Sequence, residues 1–172
     1  MENIKNKCIE IYRQAFGKDE LFEQRLFGKC FKHCRYLEVN GTVVAMLFPL
    51  PCLIISQNRS YESIYIFAAA TEKEQRGKGY MSRLLEQVKT NPDTVYFLRP
   101  ANKELIGFYK KLGFKEFSAI NSDKVSPLVA ALEDMEFLAG DYISPDGKGF
   151  TLMYSYKENL NLQNLGFIYS ME

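Results

Sequence analysis

Two glycines, each preceded by a cationic residue, sit near the middle of this chain at Arg76-Gly77-Lys78-Gly79-Tyr80-Met81. They lie between an apolar stretch that reads as a strand and a run with Met81, Leu84, Leu85 and Val88 at helical spacing. The first N–H groups of a helix lack intrahelical acceptors and carry partial positive charge. Glycines at such a point keep side chains from standing between an anion and the backbone, so phosphate oxygens can accept those N–H bonds directly. Arg76 and Lys78 add formal charge beside the same place, which suits a diphosphate. Two other phosphate loops are excluded. A Walker A loop needs Gly-Lys-Ser/Thr, but Tyr80 follows Gly79, and a dinucleotide fingerprint needs a third glycine.

A second group follows at Asn102-Lys103-Glu104-Leu105-Ile106-Gly107-Phe108-Tyr109-Lys110-Lys111-Leu112-Gly113-Phe114. Asn102 is suited to cap a helix. Glu104 favours its start and Lys110 and Lys111 its end, with Gly113 placed for the left-handed residue just past it. Taken alone, this reads as a cap and a core tyrosine.

In that order, each after a strand, the two stretches resemble the cofactor motifs of the GNAT superfamily of N-acetyltransferases. The family signature is Arg or Gln, two residues, Gly, one residue, then Gly or Ala. Arg76 and Gly79 match it, while Met81 departs from its final small residue. The resemblance implies acetyl-CoA as co-substrate, held by Arg76, Gly77, Lys78, Gly79, Tyr80 and Met81, with the strand end Ala69, Ala70 and Thr71 on its pantetheine and acyl carbonyl. It further implies that Asn102 contacts the cofactor and that Tyr109 protonates the departing thiolate. An amine would attack the thioester directly. The resemblance covers residues 35–115 well. It also implies a mixed, mostly antiparallel central sheet flanked by helices on both faces.

The general base stays open. No carboxylate lies in the apolar middle of the Tyr61–Ala70 strand, where many relatives place one. Glu62 lies at its far end, and Glu72 and Glu74 lie in the charged turn, where solvated surface is expected; Glu38, Asp123, Asp141 and the terminal carboxylate of Glu172 remain candidates. Cys30, His33 and Cys34 have one-sided helical spacing, but neither CxxC nor HxxxH is present, so no metal site is expected.

These groups need a scaffold, and local signals supply one. Ile4, Cys8, Ile11, Tyr12 and Ala15 predict a helix ending at Gly17. Asp19 is placed to cap a second helix with Leu21, Phe22, Leu26 and Cys30 on one side. Arg35–Val39 and Thr42–Phe48 flank Asn40-Gly41, a strong hairpin signal. Tyr61–Ala70 reads as a central strand, Thr94–Leu98 as a short one, and residues 102–112 as a helix. Later, strands are expected at 114–120, 150–156 and 165–169, a helix over 128–140 and a turn at 146–149. With no repeat or linker, residues 1–172 read as one α/β domain.

Composition narrows the function classes. The chain has 172 residues, 47% of them hydrophobic, and a net charge of +1, which argues against a phosphate-neutralising face for nucleic acid. The Val43–Leu53 run is broken by Pro49 and Pro51 and is too short for a membrane span. Met1-Glu2-Asn3-Ile4-Lys5 lacks the apolar core of a leader, so a cytoplasmic protein with reduced thiols is expected. The expected partner is a small-molecule or peptide amine, with no nucleic acid and no membrane, the chain acting as a monomer or a homodimer. A non-catalytic acyl-CoA-binding sensor on the same fold is the alternative reading, and transfer of a longer acyl chain a third.

Overall fold

The computed structural model describes residues 2–56, 59–117, 152–158 and 166–169. The chain divides into two compact units, one of Met1–Pro49 with Ile66–Thr90 and the other of Leu50–Tyr65 with Asn91–Glu172.

The first unit opens with α1 (Glu2–Phe16). It stops where Gly17, at φ +83°, donates its N–H to the Arg13 carbonyl. Helix α2 (Glu20–Lys29) begins at Asp19, whose carboxylate accepts the Phe22 N–H at 3.0 Å. Its buried residues are Glu23, Leu26 and Phe27. Leu21, expected on the inner side, is 62% exposed. Leu26 lies five positions further on, which places the two about 140° apart around a helix. Phe27 sets the inward face instead, edge-on to Tyr12 and Phe48 with ring centroids 5.7 and 5.4 Å away.

Strands β1 (Arg35–Val39) and β2 (Thr42–Ser56) form the expected hairpin, with Asn40 and Gly41 both left-handed at φ 52° and 75°. Their antiparallel register runs from Val39↔Thr42 to Arg35↔Leu47, with an irregularity between Leu37 and Glu38. The last residues of β3 (Arg59–Thr71) lead, through a 3-10 turn at Lys73–Gln75, to α3 (Tyr80–Val88). That helix buries Leu84 and Leu85 and packs against β1.

In the second unit the first half of β3 pairs in parallel with β4 (Val95–Leu98), from Ser63↔Val95 to Tyr65↔Phe97. Every residue of β4 is buried. It pairs antiparallel with β6 (Leu152–Ser155), which in turn pairs antiparallel with β5 (Lys115–Phe117). Helix α4 (Glu104–Lys111) joins β4 to β5, and β7 (Gly166–Tyr169) lies antiparallel to Cys52–Ile55 of β2. Hydrogen bonding links the strands in the order β1-β2-β3-β4-β6-β5, with β7 on β2. The sheet is therefore mixed and mostly antiparallel, as the fold reading anticipated. The expected helix over 128–140 and the turn at 146–149 lie outside the described residues.

One expectation fails instructively. The prolines were read as breaking the apolar run, yet β2 continues through Pro49 and Pro51 to Ser56. Proline cannot donate to a ladder. On β2, the β1 ladder stops at Leu47 and the β7 ladder starts at Cys52, so both prolines fall in the gap between them.

Candidate functional site

The site begins with a fault in β3. Ala68 adopts φ 51°, a left-handed conformation that costs a residue with a Cβ about 1–2 kcal/mol. The buried side changes two residues earlier, between Tyr65 and Ile66: Ser63 and Tyr65 are buried, and then Ile66, Ala68 and Ala70 are. An inserted residue produces that switch of parity, as in a β-bulge. Phe67, Ala69 and Thr71 in the strand end are each half-buried.

Three contacts hold that end in the first unit. The Glu72 N–H bonds to the Val44 carbonyl at 2.9 Å, the Lys73 N–H bonds to Gln14 Oε1 at 2.9 Å, and Lys7 pairs with the Glu72 carboxylate. Glu72 was expected to be solvated, but it is half-buried and occupied by Lys7, whose pKa is raised chiefly by that hydrogen bond.

The glycine turn follows. Gly77 and Gly79 lie at φ +79° and +77°, conformations that residues with a Cβ rarely adopt. A Cβ built at either one meets nothing within 4 Å, so open space adjoins both glycines. Their first requirement is thus conformational, beyond the clearance that the sequence suggests. Helix α3 starts immediately after Gly79, which supplies no side-chain cap, and its N-terminal amides have no acceptor within the helix. Lys78 is exposed, with Nζ bonded to Gln75 Oε1 at 2.8 Å. Arg76 is also exposed, but its Nε folds back onto the Thr71 carbonyl at 3.2 Å. Tyr80 and Met81 are half-buried in the first helical turn. The arrangement offers backbone N–H donors and nearby cations to an anion.

Asn102 and Tyr109 belong to the second unit. Asn102 is exposed, and its Oδ1 accepts the Leu105 N–H at 3.1 Å, so the amide oxygen already serves the start of α4. Tyr109 is 6% exposed, edge-on to Phe108 and Phe114. Burial pushes its phenol up to about 12, which keeps it protonated near neutrality. The helix behind it closes with Gly113 at φ +82°, Gly113 N–H to the Lys110 carbonyl and Phe114 N–H to the Tyr109 carbonyl, the two bonds of a Schellman motif.

Of the remaining carboxylates, Glu38, Glu62 and Glu74 are exposed, and Asp123, Asp141 and Glu172 lie outside the described residues. Sequence reasoning missed Glu23, which is 4% exposed and bound by Arg13 through Nε at 3.0 Å and Nη2 at 2.6 Å. Its place on a short amphipathic helix gave no sign of burial. A groove of about 480 Å³ between α1 and α2 includes Ile9, Arg13, Glu23 and Phe27 among its lining residues and none of the predicted site residues. The expected helical alignment of Cys30, His33 and Cys34 does not occur. Helix α2 ends at Lys29, and a 3-10 turn covers Phe31–His33. The Cys34 thiol instead pairs with Cys8, which lowers the Cys8 pKa and raises that of Cys34. Among the described residues no group of three potential ligands could hold a metal ion, and no helix is long and apolar enough to cross a membrane.

Comparison with known proteins adds the following. A family model for the acetyltransferase (GNAT) domain matches residues 2–117. No curated protein matches by sequence. Among solved structures, the ribosomal-protein-S18-alanine N-acetyltransferase from Escherichia coli is 17% identical, with 94% of each chain covered and a TM-score of 0.55. An aminoglycoside 6'-N-acetyltransferase complexed with coenzyme A is 9% identical over 91% of this chain and 92% of that one, with a TM-score of 0.59. A GCN5-related N-acetyltransferase from Kribbella flavida is 18% identical with a TM-score of 0.57; the match covers 72% of this chain but only 35% of that protein's length. Three more of the similar structures are likewise spanned over only 29–41% of their length. At such identities the likeness is one of fold.

Proposed function

Because this chain belongs to the acetyltransferase (GNAT) domain family, we propose that it is an N-acetyltransferase, carrying an acetyl group from acetyl-CoA directly to a primary amine of a small molecule or peptide. The observation that carries this reading is the uncapped start of α3 behind two left-handed glycines, open to solvent and flanked by Arg76 and Lys78. A diphosphate satisfies amides that the fold leaves without intrahelical acceptors. The structure solved with coenzyme A makes the same ligand class reasonable for this chain.

In this reading Arg76–Met81 hold the pyrophosphate, and the backbone from Ala69 to Thr71 holds the pantetheine and acyl carbonyl. The left-handed backbone at Ala68, with small side chains after it, suits close approach to that backbone. The neutral amine nitrogen attacks the thioester carbonyl carbon. The C–N bond forms, the C–S bond breaks, and the proton lost by nitrogen is balanced by the one that the thiolate gains. Positioning both reactants supplies much of the acceleration, about 7–11 kcal/mol in favourable cases. Tyr109, protonated at neutral pH, is assigned as the acid for the thiolate, and Asn102 as a second cofactor contact through the part of its amide that the helix does not use. The protein is taken to work in the cytoplasm as one domain.

Calorimetry with acetyl-CoA up to millimolar concentration tests the reading, joined to an amine screen that detects released CoA thiol. Binding with turnover supports it. Tight binding without turnover on any amine would favour a sensor, and absence of binding would refute both.

A further inference from the structure

The turn assigned to the pyrophosphate is shaped by bonds within itself but placed by bonds from other elements. Inside it, the Gln75 N–H reaches the Glu72 carbonyl at 2.9 Å, and Lys78 Nζ reaches Gln75 Oε1 at 2.8 Å. Arg76 Nε adds the Thr71 carbonyl at 3.2 Å. These partners are three to five positions apart, so they fold the segment without fixing where it stands.

Its place is set at Glu72 and Lys73, the first residues after β3. Strand β2 holds the Glu72 N–H through the Val44 carbonyl. Two side chains of α1 hold the same point: Lys7 pairs with the Glu72 carboxylate, and Gln14 Oε1 accepts the Lys73 N–H at 2.9 Å. Lys7 and Gln14 are seven positions apart, two turns along one face of a helix. Helix α1 also packs against the Lys73–Gln75 turn. The helix itself is seated by its buried residues Cys8, Ile11 and Tyr12. Lys7 is half-buried and Gln14 exposed, so their contacts are left to serve the turn.

We propose that Lys7 and Gln14 are positioning residues for acetyl-CoA, fixing the spacing between the backbone assigned to its acyl end and the turn assigned to its pyrophosphate. The inference rests on the acyl-transfer reading and deepens it. One ligand must meet both places at once, so its affinity depends on a spacing that is set before it binds. A partly exposed ion pair contributes little to global stability, so its loss is read in affinity and not in folding.

Calorimetry with acetyl-CoA on a set of variants tests this, with denaturant unfolding in parallel. Lys7→Met should weaken binding by about tenfold, less than the roughly 10²-fold that a 1 Å misplacement can cost. Lys7→Arg should stay within about threefold of the unaltered chain, since a guanidinium also pairs with a carboxylate. Glu72→Met should match Lys7→Met, and the double variant should lose no more than either, because each removes the same contact. Gln14→Ala, at an exposed position, should weaken binding severalfold. Glu10→Gln removes the other partner of Lys7, 3.3 Å away on α1 itself, and should leave affinity unchanged. Stability should move little throughout. An affinity within about twofold of the unaltered chain in either Lys7→Met or Gln14→Ala overturns this inference alone. Losses at Lys7 and Glu72 that add, or a fall in stability with affinity intact, do the same. Absence of acetyl-CoA binding by the unaltered chain overturns the acyl-transfer reading and the inference together.

Discussion

Gly79 and Gly113 are the same residue in nearly the same conformation, at φ +77° and +82°, and each borders a short helix. Gly113 follows α4, where two Schellman hydrogen bonds use the carbonyls that the helix end would otherwise leave unpaired. Gly79 precedes α3, where no side chain caps the amides of the first turn. Folding accounts fully for one glycine and leaves donors over at the other. A glycine with positive φ is therefore informative about function only after its neighbours' hydrogen bonds have been traced.

The same contrast separates the two groups of residues assigned to the proposed reaction. In the strand end and glycine turn the backbone is the proposed working surface. In α4 the polar groups have structural duties, and the role proposed for Tyr109 is one of its side chain. The largest expected effect tests that division: Tyr109→Phe should lower kcat by about 10²–10⁴-fold with acetyl-CoA affinity nearly unchanged. Steady-state kinetics beside calorimetry would reveal the opposite pattern, weakened binding with intact turnover, and remove Tyr109 from the acid role.

Alkaline titration sharpens the account of the same residue. The folded phenol is raised to about 12 from an ordinary value of 10.0, so between those values the unfolded chain loses the proton first. Tyr109 thus holds its full stabilising contribution below pH 10 and loses it as pH rises toward 12. Relative to Tyr109→Phe, the native protein should lose up to about 2–3 kcal/mol across that window, measured by denaturant unfolding. Parallel curves for the two proteins would contradict the burial argument.

A smaller effect is expected at Asn102. Replacement by Ala should cost about 1 kcal/mol of stability through the lost Leu105 contact, and Asn102→Ser should restore most of it. An affinity loss that Ser does not restore would separate the cofactor contact from the cap.

Turn chemistry was the most legible part of the fold. Gly17, Asp19, Asn40-Gly41 and Gly113 each perform the local role that their residue type suggests, because helix ends and hairpin turns are decided within a few residues. Features set by distant partners were hidden. Alanine carries no preference for positive φ, so nothing in Phe67-Ala68-Ala69 announced the left-handed residue in β3. Leu21 looked like a core residue until the packing of Phe27 fixed which side of α2 turns inward. The carboxylate of Glu23 was passed over because its partner Arg13 lies on another helix. The continuation of β2 past two prolines depends on where neighbouring ladders stop, which only pairing reveals.

The most direct measurement is acetyl-CoA calorimetry on Gly79→Val and Gly113→Ala, each compared with the unaltered chain. Gly79→Val should weaken binding by about tenfold or more, since a branched side chain strains the turn and crowds the amides. Gly113→Ala should cost about 1–2 kcal/mol of stability while leaving affinity within about twofold. Equal affinity in Gly79→Val and the unaltered protein would contradict the assignment of that turn to the pyrophosphate.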